Sequence, residues 1–190
     1  MRIFIVSLFS FSLFTGCASL KLDTSGSKII TPLCNKYEPD IETIVLWGTL
    51  WRANQKEPLL RESMAKQGIE KFVNETQCIN VRHIQQINID KKAPTNKTLI
   101  GNAAKQSANK LLFILVRELG PTLELGIPSI IKGHTEVVLE VKVIDLISYS
   151  ITNSSKVHWR HGGNFVIKGT NSLPDDMASA LHSLLTSNGG

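Results

Sequence analysis

Apolar residues recur along this chain at the spacings typical of strands and of helices. These spacings predict that strands and helices alternate along the chain. Residues 41–52, IETIVLWGTLWR, are rich in β-branched and aromatic side chains, which indicates a strand buried on at least one face. Glu57-Pro58 then begins a helix, and apolar side chains up to Val73 place a broad apolar stripe along it. Three further elements follow: a strand over residues 78–89, a helix from Thr98, and the apolar run LLFILV over residues 111–116, which we expect to be the central strand.

The second half of the chain predicts a meander of strands and a closing helix. Residues 136–145, EVVLEVKVID, alternate between apolar and polar positions, as a half-exposed antiparallel strand does. Residues 149–167 supply one or two further strands, and a helix begins at Ser172, where two acidic residues follow the capping hydroxyl. The fold class expected is α/β (α+β), with one mixed sheet of about five or six strands and two or three helices packed on it, in the order β-α-β-α-β-β-β-α.

Residues 117–135 break this pattern, because glycine or proline occurs at five positions and favours a loop. The segment nevertheless keeps five aliphatic side chains: Leu123, Leu125, Ile127, Ile130 and Ile131. Loops normally lie on the surface and are polar, so these side chains predict that something covers the loop. The cover is either the core of the same domain or a protein partner, and both interpretations stay open.

Trp47, Trp51 and Arg52 are further candidates for binding a partner. On a strand, residues 47 and 51 point to the same face, and aromatic residues and arginine are enriched at the centres of protein interfaces. The alternative is that both tryptophans fill the core of the domain.

The amino terminus has the outline of a bacterial secretion signal, with Arg2 ahead of a short apolar run. Residues 14–17, FTGC, resemble a lipobox, the motif at which bacterial lipoproteins are acylated on the cysteine sulfur and cut just before it. The resemblance implies that Cys17 carries a lipid with acyl chains such as palmitate, which tethers the protein to a membrane. Lipoproteins retained at the inner membrane carry Asp after the cysteine, whereas Ala18 stands here, which implies the outer membrane.

The motif departs from the usual lipobox at Phe14, where leucine is common. An ordinary cleaved signal peptide with a coincidental cysteine is one alternative, and an uncleaved membrane helix is another. The apolar run is only about half of the ~20 residues that a spanning helix needs, which counts against the helix. The expected organisation is a signal peptide over residues 1–16, a lipidated tether over residues 17–39, and a periplasmic α/β domain over residues 40–188.

Over residues 41–186 the chain resembles a group of small periplasmic α/β domains. The likeness is carried by the first helix, by the Ala108-Asn109-Lys110 sequence before LLFILV, and by VVLEVKVID leading into an arm near Trp159. Such domains occur in the curli-secretion lipoprotein, in lipoprotein activators of penicillin-binding proteins and at the amino end of the TolB protein. The resemblance implies membership of an envelope protein complex in secretion or cell-wall maintenance, with a homo-oligomer as one form of assembly.

Composition narrows the class of partner. The chain is 42% apolar and 19% charged, which is typical of a globular protein. Its net charge of +5 is mild and contains no dense Lys/Arg run, so nucleic acid is not an expected partner. Once Cys17 is assigned to the lipid, Cys34 and Cys78 remain, and in an oxidising compartment we expect them to form a disulfide.

The sequence contains no convincing active site. His158 and His161 come nearest to a metal-ligand pair, but residues three apart on a strand point to opposite faces unless Gly162-Gly163 distorts it. No hydrolase, zinc or nucleotide-binding motif occurs, so we expect no enzymatic activity, no metal and no cofactor. The expected function is that of a non-catalytic assembly, scaffold or regulatory subunit of an envelope complex. The alternative is an envelope protein that binds or hydrolyses cell wall or lipid, in which both histidines and a carboxylate line a pocket.

Overall fold

A computed structural model describes residues 18–27, 40–76, 79–126, 130–164 and 166–185 of the chain. These residues form six strands and three α-helices, with one short 3-10 turn over Thr170–Ser172. In chain order the elements are β1 (Ser19–Ser27), β2 (Glu42–Thr49), α1 (Pro58–Glu75), β3 (Asn80–Gln86), α2 (Asn96–Ala103), β4 (Lys110–Gly126), β5 (Ile130–Asp145), β6 (Ser150–Asn164) and α3 (Leu173–Leu185).

The strands form one mixed sheet in the order β1-β6-β5-β4-β2-β3. β2 lies between β3 and β4 and runs parallel to both, whereas all other neighbours are antiparallel. The helices α1 and α2 form the two crossover connections that parallel strands require. The predicted fold class, one mixed sheet carrying helices, is therefore confirmed.

Helices cover both faces of the sheet. On the first face, α1 and α3 pack over a core that includes Trp47, Phe72, Ile114 and Trp159, all of them buried. On the opposite face, the shorter α2 covers a second core built around Phe113. Side chains of β4 alternate between these two cores, which explains why LLFILV is apolar at every position, as expected for a strand buried on both faces.

The predicted loop over residues 117–135 is wrong, because most of this segment forms the distal halves of β4 and β5. The two strands pair in register as far as Gly126 and Ile130, after a bulge next to Val116. β2 pairs with β4 only as far as Val116, and beyond that point the N–H of Arg52 donates to the carbonyl oxygen of Arg117 while the Gln55 side chain bonds the backbone of Leu119. Pro121 lies past these contacts, where the described part of β4 has no strand neighbour on that side and proline is tolerated. We call the part of this pair beyond Val116 the β4–β5 hairpin.

Gly133 is required for a different reason. A β-carbon at this position would lie 2.0 Å from the carbonyl oxygen of Val166, because the segment that follows β6 crosses directly over β5 there. The glycine therefore allows two backbones to approach closely. In the sequence alone, the same glycine indicates the end of a strand.

The predicted tether over residues 17–39 is also corrected. Residues Ser19–Ser27 form β1, which pairs with β6 over its whole length and makes one edge of the sheet. Small and polar residues are unusual in a strand, but an edge strand with one neighbour buries little and tolerates them. Cys17 and residues 28–39 lie outside the described residues, and so do Cys34 and Cys78, so acylation and the disulfide stay predictions.

Candidate functional site

The distal end of the sheet carries a cluster of exposed aliphatic side chains. These are Leu20 on β1, Leu123 and Leu125 on β4, Ile131 on β5, and Ile167 in the segment after β6, and their exposed fractions run from 41% to 87%. The strand positions continue the alternation of core residues such as Leu119 and Val137, so they project from the α1/α3 side of the sheet. We call these five residues the distal apolar surface.

A buried carboxylate fixes the structure beneath this surface. Asp176, in the first turn of α3, is 5% exposed and its Oδ2 accepts hydrogen bonds from Thr135 Oγ1 at 2.6 Å and Ser172 Oγ at 3.1 Å. Lys168 Nζ donates to the other oxygen at 3.3 Å, and His161 Nδ1 lies 3.4 Å from that oxygen. We call these residues the Asp176 network.

The network joins three parts of the distal end. Thr135 and His161 belong to neighbouring strands, Lys168 belongs to the segment that crosses Gly133, and Asp176 belongs to a helix. A carboxylate at the amino end of a helix is also favoured by the helix dipole. Because several hydrogen bonds converge on one buried charge, the segment carrying Ile167 is held against the sheet.

The opposite side of the same end carries paired charges. Glu136 on β5 contacts His158 on β6, and Arg160 Nε lies 3.1 Å from His158 Nε2. Arg52, which follows β2, pairs with Glu118 on β4. We call these five residues the ion-paired face.

Glu118 is the perturbed group of the ion-paired face. Burial raises the pKa of this carboxyl above its ordinary value, and the neighbouring charge of Glu136 raises it further. Arg52 opposes both effects by favouring the ionised form. The ionised forms of Glu118 and Glu136 therefore depend on the cationic side chains around them. Such an arrangement of charges suits recognition of a polar protein surface.

The two candidate histidines are not brought together. His158 lies on the ion-paired face beside Glu136, whereas His161 lies on the opposite side of β6 beside Asp176. β6 stays regular through Gly162, so the distortion that a shared metal needs is not present at this point. Among the residues that the structure describes, no group of three or more His, Cys, Asp or Glu side chains is placed to hold a metal.

The predicted partner-binding residues differ in how far the structure exposes them. Trp47 is 2% exposed in the α1/α3 core, which is where the core alternative places it and where little of its surface is accessible to a partner. Trp51 is partly buried and packs against the same core, whereas Arg52 is exposed. Leu123, Leu125 and Ile131 are exposed on the hairpin, while Ile127 and the side chain of Ile130 lie outside the described residues.

Several residues of these surfaces were missed from the sequence. Leu20 was assigned to the tether, and Ile167 stood at the end of a strand with no pattern around it. Glu118 lay in the segment predicted to be a loop, and Glu136 was only the first residue of a predicted strand. The signal for Asp176 was available, because an acidic residue in the first turn of a helix often accepts hydrogen bonds, but its partners are distant in sequence.

Comparison with known proteins yields distant similarity only. No protein-family model matches the chain, and no curated protein matches it. A chain of the PelC dodecamer from Paraburkholderia phytofirmans superposes with a TM-score of 0.45 at 12% identity, over 87% of this chain and 98% of the PelC chain. Lipoprotein GNA1162 from Neisseria meningitidis superposes with a TM-score of 0.43 at 12% identity, over 77% of this chain and 99% of that one. Similarity at this level carries no conclusion about function.

None of the helices in the described ranges combines the length and the apolar character that crossing a bilayer requires.

Proposed function

We propose that this protein is an outer-membrane lipoprotein, acylated on Cys17, whose periplasmic domain is a non-catalytic assembly, scaffold or regulatory subunit of an envelope complex. The observation that carries the proposal is the position of β1, which begins only two residues after the lipobox cysteine. A lipid on Cys17 would therefore hold the sheet directly at the membrane surface. A domain held at the membrane surface is better placed to bind a neighbouring membrane-associated protein than to reach across the periplasm.

The surface that we assign to the partner is the ion-paired face. Arg52 is exposed there and His158 and Arg160 are partly exposed, whereas α2 packs on this side of the sheet over a core around Phe113. Arginine is enriched among the residues that dominate binding energy at interfaces. Charges paired across strands are also held in fixed positions, which favours specific recognition over non-specific attraction.

The anchor is tested by labelling cells with radioactive palmitate. Label should enter the wild-type chain and be absent from a Cys17→Ser variant, which should also leave the membrane fraction. A wild-type chain without label would contradict the proposal.

The partner is tested by affinity purification from detergent-solubilised envelopes. The same protein should co-purify with the wild type in replicate experiments, and Arg160→Ala should reduce its yield about tenfold, which corresponds to about 1.4 kcal/mol. Arg82→Ala is the matched control, because Arg82 also lies on a strand and pairs with a glutamate, but at the far edge of the sheet. Equal loss in both variants would remove the ion-paired face from the proposal.

A further inference from the structure

The start of β1 and the β4–β5 hairpin lie at the same end of the sheet. Ser19 pairs with Gly162, which pairs with His134, which in turn pairs with Thr122, so these residues form one row across four strands. Ser19 Oγ also donates a hydrogen bond to the carbonyl oxygen of Gly162 at 3.3 Å. Cys17 precedes Ser19 by two residues in the sequence, and two residues of chain span at most about 7 Å.

The hairpin extends further than the acylated residue can. β4 continues from Thr122 to Gly126, which at about 3.3 Å per residue carries it about 13 Å beyond the row. Cys17 reaches at most about 7 Å in the same direction, so the hairpin extends about 6 Å past it. A bilayer that holds the lipid of Cys17 would therefore be close enough for the hairpin to reach it.

The surface that the hairpin brings to this level is apolar. Leu125 is 77% exposed and Ile167 is 87% exposed, although both belong to a domain that buries aliphatic residues elsewhere. Residues 119–134 contain only two charged side chains, Glu124 and Lys132. These two pair in register and project from the other side of the hairpin, so opposite charges flank the apolar side without interrupting it.

We propose that the distal apolar surface contacts the lipid bilayer to which Cys17 is attached, with Leu125 and Ile131 at the headgroup boundary. This inference rests on the proposed function, because it requires the lipid on Cys17. Interfacial segments bury their apolar side about 5–10 Å into the headgroup region, which matches the reach of the hairpin beyond Cys17. The free backbone edges of the hairpin remain hydrated at this depth, as they could not in the hydrocarbon core.

The contact would orient the domain. The acyl chains on Cys17 would anchor the domain but leave it free to rotate about their attachment, and a second apolar contact would remove that freedom. The sheet would then stand with its distal end at the membrane, and the ion-paired face would stay accessible from the periplasm.

Quenching of tryptophan fluorescence by brominated lipids tests this contact. The purified lipidated chain is reconstituted into vesicles of phosphatidylethanolamine and phosphatidylglycerol, with and without brominated acyl chains. Leu125→Trp adds a reporter to the hairpin, and Ile147→Trp adds the control in the turn between β5 and β6 at the opposite end of the sheet, where the native isoleucine is 73% exposed. We expect bromine to remove about half of the emission that Leu125→Trp adds over the wild type, because the reporter lies within about 10 Å of the headgroup boundary.

The outcomes separate this inference from the proposed function. Absence of palmitate on the wild-type chain would overturn both. Palmitate with no quenching of Leu125→Trp, or with equal quenching of Ile147→Trp, would leave the anchor standing and overturn the bilayer contact. A photocrosslinker at position 125 that captures a protein in cells, without lipid quenching in vesicles, would assign the surface to that protein instead.

Discussion

Removing the buried carboxylate of Asp176 should weaken the whole distal end of the domain. The variant Asp176→Ala deprives Thr135 and Ser172 of the acceptor that their hydroxyl groups share. It also leaves the ammonium group of Lys168 without its carboxylate partner, in a side chain that is only 15% exposed. The expected effect is therefore larger than the loss of ordinary surface contacts.

The magnitude follows from the burial of the partners. Breaking a buried charge pair by removing one member costs about 3–5 kcal/mol, because the remaining charge stays desolvated. The bonds from Thr135 and Ser172 belong to the same network, so their loss is contained in this figure rather than added to it. For a domain of about 150–250 residues, a loss of 1 kcal/mol lowers Tm by about 2–4 °C, so Asp176→Ala should lower Tm by roughly 6–20 °C.

Thermal unfolding followed by circular dichroism measures this effect. Asp176→Asn should fall between the wild type and Asp176→Ala, because the amide oxygen still accepts from Thr135 but carries no charge for Lys168. Asp175→Ala is the control, since Asp175 lies in the same turn and pairs with an exposed lysine at the surface. If Asp175→Ala and Asp176→Ala lowered Tm equally, the role assigned to the Asp176 network would be refuted.

Four further predictions concern packing and titration. A β-carbon at Gly68 would lie 2.5 Å from a side-chain atom of α3, so Gly68→Ala should cost about 1–3 kcal/mol in urea unfolding. Gly101→Ala meets no atom within 4 Å and should stabilise α2 by up to about 1 kcal/mol. Trp47→Ala should cost about 3–5 kcal/mol, whereas Leu125→Ser should stay within about 0.5 kcal/mol because its side chain is exposed. Glu118 has a raised pKa in the folded state, so its ionisation opposes folding as pH rises past the ordinary value of 4.5. Glu118→Gln should therefore gain stability relative to the wild type between acidic and neutral pH, and a difference in Tm that does not change with pH would contradict this.

The elements that pack against the core could be predicted from the sequence. LLFILV is apolar throughout because β4 packs against α1 and α3 on one side and α2 on the other. Helix α1 was recognisable from Pro58 in its first turn and from the apolar stripe that faces the core. Burial on one side of an element imposes a period of apolar residues on the sequence, and burial on both sides gives an unbroken apolar run. Both patterns are visible in a single sequence.

The edge of the sheet could not be predicted in the same way. β1 buries only one partly covered side chain, Leu22, among the residues whose side chains are described there, so Ser, Lys and Gly are compatible with it. Its position depends on pairing with β6, from which it is separated by about 130 residues of chain. The polar composition that suggested a tether is the composition that an edge strand tolerates.

The β4–β5 hairpin shows why glycine and proline misled the interpretation of residues 117–135. Proline breaks a strand only where a neighbour needs its N–H, and β4 has lost its β2 neighbour before Pro121. Gly133 weakens a strand on its own, but here it admits the crossing segment at Val166, which the Asp176 network holds in place. The aliphatic side chains that made a loop improbable were therefore the better signal, because they mark a strand pair whose apolar side continues beyond the helices that cover the core.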